Sequence, residues 1–188
     1  SGHGTPAAVV MAATHAVAHA YTGPTGHTAC APCEMLSYLN NRLAGRYDAG
    51  TVMFVTAWYG IYDPATRQLS YAAAGHPPPR LCRGEDLSLL DQAGGLPLGI
   101  MAEADYDSAS VQLEPGDKLT LFTDGITEAF DPNRKQYGEA RFDTVLQRSC
   151  PDQDSPQGTI EALLDDVRTF ARGMPNDDDQ TLLALQVD

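Results

Sequence analysis

Apolar residues recur at helical spacing in several parts of the chain. From Thr5 to about residue 20 the segment is almost wholly apolar, broken by His15 and His19, and it reads as a buried helix. Thr5 is a candidate cap, and Pro6 suits a first helical turn. Met35, Leu36, Leu39 and Leu43 mark a second helix over Glu34–Leu43. Tyr137–Arg148 has helical character. Ser155–Arg172 has the strongest pattern: Ser155 as cap, Pro156 next, then a stripe of Ile160, Leu163, Leu164, Val167 and Phe170, with Gly173 and Pro175 as the stop.

Between these helices the pattern changes. Residues 51–62 are dense in β-branched and aromatic residues and predict a strand. Asp63-Pro64-Ala65-Thr66 is a turn, and Leu69–Ala74 is the returning strand of a hairpin. Gly75-His76-Pro77-Pro78-Pro79 stops it; Arg80–Cys82 resumes as an edge strand, and Leu87–Leu90 is another short one. Gly94–Gly99 is a tight loop, and two glycine-rich loops span Tyr21–Ala31 and Gly45–Gly50. Asp107–Leu113 and Lys118–Thr123 flank Glu114-Pro115-Gly116-Asp117, which predicts a second hairpin. Leu182–Val187 is the last strand. Strands grouped between helices imply an α+β layered fold, with residues 1–188 as one domain.

Composition narrows the function. The formal net charge is −13, which argues against a nucleic-acid partner, because phosphate binding needs a basic face. No apolar run is long enough to span a bilayer. The four cysteines, Cys30, Cys33, Cys82 and Cys150, do not have the spacing of a disulfide scaffold, and the expectation is a cytoplasmic protein.

The candidate chemistry is acidic. Leu119–Thr123 reads as a buried strand ending on Asp124, followed at once by Gly125. A carboxylate there is expensive unless a cation or a catalytic role offsets it. Asp177, Asp178 and Asp179 stand just before the last strand. Two strand-end carboxylate sites in one acidic chain suggest a hard-metal site with oxygen ligands.

A set of motifs occurs in one order: Ser1-Gly2-His3-Gly4 with Ala7-Ala8, Tyr59-Gly60 with Asp63, Ala74-Gly75-His76-Pro77-Pro78, Leu96-Pro97-Leu98-Gly99, Pro115-Gly116-Asp117, Thr123-Asp124-Gly125-Ile126-Thr127-Glu128-Ala129 and Asp178-Asp179-Gln180-Thr181. Together they resemble the metal-dependent serine/threonine phosphatases of the PPM class, in the bacterial SpoIIE/RsbU-like branch, over essentially the whole chain. The resemblance implies an α-β-β-α sandwich of two antiparallel sheets flanked by helices. It implies two Mn²⁺ or Mg²⁺ ions that activate a water against phosphoserine or phosphothreonine. It makes Asp124 and Asp178 metal ligands, with Gly125 allowing a tight turn beside the ion and Asp179 orienting the ligands. It points to a phosphorylated regulatory protein as substrate, by analogy a STAS-type anti-sigma-factor antagonist.

In this family an aspartate precedes Gly-His-Gly as the bridging ligand, and a further acidic motif lies on the strand before it. Both would precede Ser1. The expectation is a domain lacking its N-terminal strand or strands, with weakened metal binding and impaired turnover, or a partner-binding module without turnover. The sheet edge so exposed invites strand pairing into a homodimer.

Other residues have competing readings. His3 is a candidate general acid or phosphate neighbour, or a structural residue entering the first helix. His76 suits a loop-stabilising role. His15 and His19, one helical turn apart, suit a metal, but packing or surface is preferred. Cys30 and Cys33 have the spacing of a zinc or redox pair, against which stands a simple position at a helix start. Asp124 has the alternative of a capping or turn aspartate before a helix. The aromatic group Phe54, Trp58, Tyr59 and Tyr62 reads as strand packing.

Overall fold

Helix α1 (Thr5–His19) opens the chain in a computed structural model that describes residues 5–21, 31–44, 54–152 and 155–188. The loops expected at Tyr21–Ala31 and Gly45–Gly50 fall largely outside the described residues, as do His3 and Cys30. The chain forms two compact units. One comprises Ser1–His76 with Asp91–Gln112, the other Pro77–Leu90 with Leu113–Asp188.

The first unit contains α1, α2 (Pro32–Leu43) and a three-stranded antiparallel sheet of β1 (Ala57–Asp63), β2 (Gln68–Ala74) and β5 (Ala109–Gln112) in the order β1-β2-β5. The α2 stripe of Met35, Leu36, Leu39 and Leu43 packs on Ala72, Ala74, Leu98 and Tyr106, so the predicted helical spacing is its buried face. Asn40 is fully buried on the same helix. Its amide donates to the Met101 carbonyl at 2.9 Å, and its Oδ1 accepts the Gly99 N–H at 2.9 Å. That pair of bonds fixes the Leu96–Gly99 loop, because a buried amide must be satisfied. The Asp63 turn forms as expected: its carboxylate accepts from Ala65 N–H at 2.9 Å and the Thr66 hydroxyl at 2.8 Å. Trp58 stacks on Tyr71 with ring centroids 5.8 Å apart, while Tyr62 is exposed.

The second unit holds a four-stranded antiparallel sheet in the order β4-β3-β6-β7. Its strands are β3 (Arg80–Arg83), β4 (Asp86–Leu89), β6 (Lys118–Phe122) and β7 (Leu182–Gln186). The short helix α3 (Asp124–Thr127) follows β6, and α4 (Glu139–Asp152) and α5 (Pro156–Ala171) complete the unit. Cys82, Phe122, Ile126, Phe142, Leu146, Leu163 and Val167 form its core. Ser155 caps α5 by accepting the Gly158 N–H at 3.4 Å, as the sequence signal indicates, and Arg172 ends the helix in a left-handed conformation just before Gly173. Each sheet therefore has helices packed on it, in agreement with the expected two antiparallel sheets flanked by helices.

Two expectations fail. The turn at Glu114–Asp117 exists, with Asp117 N–H bonded to Glu114 O at 3.0 Å, but it closes no hairpin. β5 pairs with β2, and β6 pairs with β3 and β7, so the turn carries the chain from one sheet to the other. Contacts distant in sequence decide this. Arg83 holds the buried Asp117 carboxylate at 2.7 Å, and the Gly116 and Val187 N–H groups bond to the Val187 and Asp117 carbonyls. β3 is not an edge strand but lies between β4 and β6. Its Arg80 is fully buried, with Asp143 at 2.7 Å and Glu139 at 2.8 Å on α4 and Pro78 O at 2.7 Å. A cation at a strand start reads as an edge signal unless its acidic partners are known.

Candidate metal centre

β6 and β7 run antiparallel with Phe122 opposite Leu182. The residues just beyond this pair are therefore brought together: Thr123–Gly125 after β6, and Asp178–Thr181 before β7. Side chains continue the contact where the ladder stops. Thr123 N–H donates to Thr181 O at 3.1 Å. The Thr123 hydroxyl accepts the Thr181 N–H at 2.9 Å and donates to Asp179 O at 3.1 Å. The Gln180 amide donates to Gly125 O at 3.0 Å.

Gly125 is the closest point of approach. A Cβ placed there would run into the Asp179 carbonyl oxygen and lie 3.1 Å from its carbon and 3.4 Å from the Asp178 carbonyl carbon. Only a residue without a side chain allows the two backbones this near. Asp124 and Asp178 are thus carried on segments locked to each other. Asp179 meets Asp178 through its backbone, its N–H donating to Asp178 Oδ1 at 2.8 Å.

Asp124 is exposed, which corrects the reading of it as a buried strand end. β6 is buried as far as Phe122, and the chain then emerges into solvent, so no desolvation cost demands a partner. The capping alternative fails as well. Asp124 is the first residue of α3 and follows the cap position, Thr123. Among the described residues its carboxylate accepts no hydrogen bond and joins no ion pair; only its backbone carbonyl is engaged, by Glu128 N–H and the Thr127 hydroxyl. Asp177 pairs with Arg134 at 3.6 Å, and both side chains are largely exposed, so this contact is weak.

Exposed carboxylate oxygens on a rigid backbone suit a hard divalent cation, to which Asp124 and Asp178 offer the correct donor chemistry. Among the described residues no group of three or more His, Cys, Asp or Glu side chains converges, so this pair stands without a third such ligand. Sequence reasoning missed Thr123 and Gln180 as the residues that join the two loops. Both lie inside the quoted motifs, and a hydroxyl on the residue ending a strand was the available signal.

The other candidates lie elsewhere in the chain. His76 Nδ1 is 3.4 Å from the Thr56 hydroxyl. Cys33 is the second residue of α2, and its N–H donates to Ser108 Oγ at 2.9 Å. Cys82 and Cys150 are buried free thiols. His15 and His19 are exposed on α1. No described helix is long and apolar enough to cross a membrane.

Comparison with known proteins bears on the family and the fold. The family model described as Stage II sporulation protein E (SpoIIE) matches residues 1–188. Phosphoserine phosphatase RsbU of Bacillus subtilis is 38% identical over 103 residues, covering 54% of this chain and 30% of the relative. Phosphoserine phosphatase RsbP of the same organism is 26% identical over 159 residues, covering 83% of this chain and 37% of the relative. The chain thus spans well under half the length of these relatives. Among solved structures, the SiaA-PP2C domain of Pseudomonas aeruginosa superposes with a TM-score of 0.85 at 24% identity, covering 100% of this chain and 73% of that one. The PP2C phosphatase domain of SpoIIE from Bacillus subtilis, solved with a fragment of its regulatory domain, gives 0.77 at 23% identity, covering 100% and 51%. These likenesses establish the fold, and with the family match over the full length, the chain belongs to the SpoIIE family and carries the PP2C/PPM-type phosphatase fold of the SpoIIE/RsbU branch.

Proposed function

We propose that this chain is the catalytic domain of a metal-dependent phosphatase that hydrolyses phosphoserine or phosphothreonine on a regulatory protein. The observation that carries the reading is the Asp124 carboxylate: exposed, free of protein partners among the described residues, and held beside the Asp178 loop by the Gly125 contact. Bound Mn²⁺ or Mg²⁺ supplies charge neutralisation and a water of lowered pKa. Asp124 and Asp178 would hold the cation. Thr123, Gly125 and Gln180 keep the two ligand segments in one arrangement, so that little reorganisation is needed on binding. Without a cation, the carboxylates of Asp124 and Asp177–Asp179 would repel a phosphate group. His3 is proposed as the neighbour that passes a proton to the departing serine or threonine oxygen. The substrate class proposed is a small anti-sigma-factor antagonist of the STAS type. It rests on the likeness to the phosphoserine phosphatase RsbU and to the RsbU and RsbW domains of Rv1364c from Mycobacterium tuberculosis.

A second reading is a phosphatase-fold module that binds a partner without turnover. It is favoured by the absence, among the described residues, of a third converging ligand. Mn²⁺-dependent hydrolysis of p-nitrophenyl phosphate separates the two. The enzyme reading expects activity in the full gene product and loss of at least about a hundredfold in Asp124→Ala, as a metal-centre ligand demands. No activity in a folded full-length protein supports the binding module. Activity unchanged in Asp124→Ala refutes the metal role.

A further inference from the structure

Helix α1 turns Val10, Val17 and Ala18 toward the core of the first unit and leaves Met11, Ala12, His15, Ala16 and His19 toward solvent. On that outer face the two imidazoles meet. His15 Nε2 and His19 Nε2 are 3.1 Å apart, with ring centroids 4.4 Å apart and planes tilted by 59°. Both are exposed, and the flanking outward positions 12 and 16 are alanines; Met11, one turn before His15, is itself exposed.

We propose that His15 and His19 together bind one late first-row divalent ion, of the Cu²⁺, Ni²⁺ or Zn²⁺ class, at a site chemically separate from the carboxylate centre. Two nitrogens 3.1 Å apart subtend about 100° at an ion about 2.0–2.1 Å from each, which is a cis angle that tetrahedral, square and octahedral coordination all accommodate. Imidazole is a borderline donor that favours these ions over Mn²⁺ and Mg²⁺, whereas the Asp124 and Asp178 oxygens have the opposite preference. The α-helix supplies the spacing, since residues four apart stand on one face. In the ion-free protein the same contact is a hydrogen bond in which one Nε2–H donates to the other ring. On binding, the metal takes the place of that hydrogen bond and the donor ring's proton moves from Nε2 to its own Nδ1 through solvent, so both rings become Nδ1–H tautomers facing water and no net proton is released. Waters fill the remaining coordination positions, because among the described residues no third ligand side chain joins the pair.

The test is titration of Cu²⁺ into chelator-treated protein, followed by calorimetry and by the nitrogen splitting of the copper electron paramagnetic resonance signal. The expected result is one equivalent bound with two coupled nitrogens. His15→Ala and His19→Ala should each weaken binding by about a hundredfold, since the second imidazole acts at high effective concentration. Alanine is a good helix former, so both variants should retain the wild-type circular dichroism and the fold. Asp124→Ala should leave copper binding unchanged, which keeps the result independent of the phosphatase reading. Wild-type copper affinity in either histidine variant, a signal from one nitrogen only, or loss of copper binding in Asp124→Ala would overturn the proposal.

Discussion

Gly125→Ala tests the idea that backbone contact between two loops sets the ligand geometry. The added methyl group meets the Asp179 carbonyl, which is backbone and cannot rotate away. The Asp178–Thr181 segment must retreat by on the order of 1 Å to restore ordinary van der Waals distance. Three hydrogen bonds resist that shift: Thr123 hydroxyl to Asp179 O, Thr181 N–H to Thr123 Oγ1, and Gln180 amide to Gly125 O. At about 1 kcal/mol net each, their loss sets a ceiling near 3 kcal/mol. That agrees with the usual cost of about 1–3 kcal/mol for overpacking a tight contact. The midpoint of thermal unfolding should fall by roughly 2–12 °C for a chain of this size. Mn²⁺ affinity should fall further, by about 10–100-fold, because the two carboxylates no longer share their fixed separation. Calorimetric Mn²⁺ titration and a melting curve on the same sample measure both. A Gly125→Ala protein with wild-type metal affinity would refute the reasoning, whatever its stability.

Further outcomes follow from other contacts. Thr123→Val keeps the shape of the strand end but removes the hydroxyl shared by Asp179 and Thr181; it should lower stability by about 1 kcal/mol and weaken Mn²⁺ binding, read by denaturant melts and titration. Arg80→Ala should cost stability near the lower end of about 3–5 kcal/mol, because its partners Asp143 and Glu139 are 29% and 58% exposed and can be rehydrated. Arg80→Lys should not restore it, since an ammonium cannot reproduce the guanidinium fork, and urea unfolding decides both. Asp166 is held below its ordinary pKa of 3.8, first by the Arg141 guanidinium and then by the Tyr137 hydroxyl. A depressed folded-state carboxyl stabilises above its unfolded pKa and loses that contribution as pH falls through the folded value. Wild type should therefore exceed Asp166→Asn in stability at pH 7, with the gap closing below about pH 4, as urea melts across pH would show.

Local signals carried much of the fold. The cap at Ser155, the stripe through Val167 and the Asp63 turn are decided within a few residues, so their elements were readable. The sheet assignment of β5 and β6 was not, because it depends on Arg83 finding Asp117 and on Val187 meeting the turn. Arg80 shows the same limit, since its burial needs two acids on a helix about 60 residues later. At the site, Asp124, Gly125 and Asp178 stood out by type and motif. The exposure of Asp124 did not, because where a strand leaves the core is a tertiary property. The joining role of Thr123 was equally hidden, since its partners are 56 and 58 residues away.

The placement of β7 has a thermodynamic consequence. It lies at the edge of its sheet with Leu183 and Leu185 exposed, and β6 is the strand that holds it. Edge strands open locally at less than the global unfolding free energy. Each opening would carry Asp178 away from Asp124, so cation affinity is reduced by the fraction of time the strand is undocked. The linkage runs both ways: an ion spanning the two loops clamps the strand. Amide exchange along Leu182–Gln186 thus becomes a gauge of metal occupancy, slowing as the ion is added. Under the proposed metal role, the sheet edge and the carboxylate pair are then governed by one equilibrium.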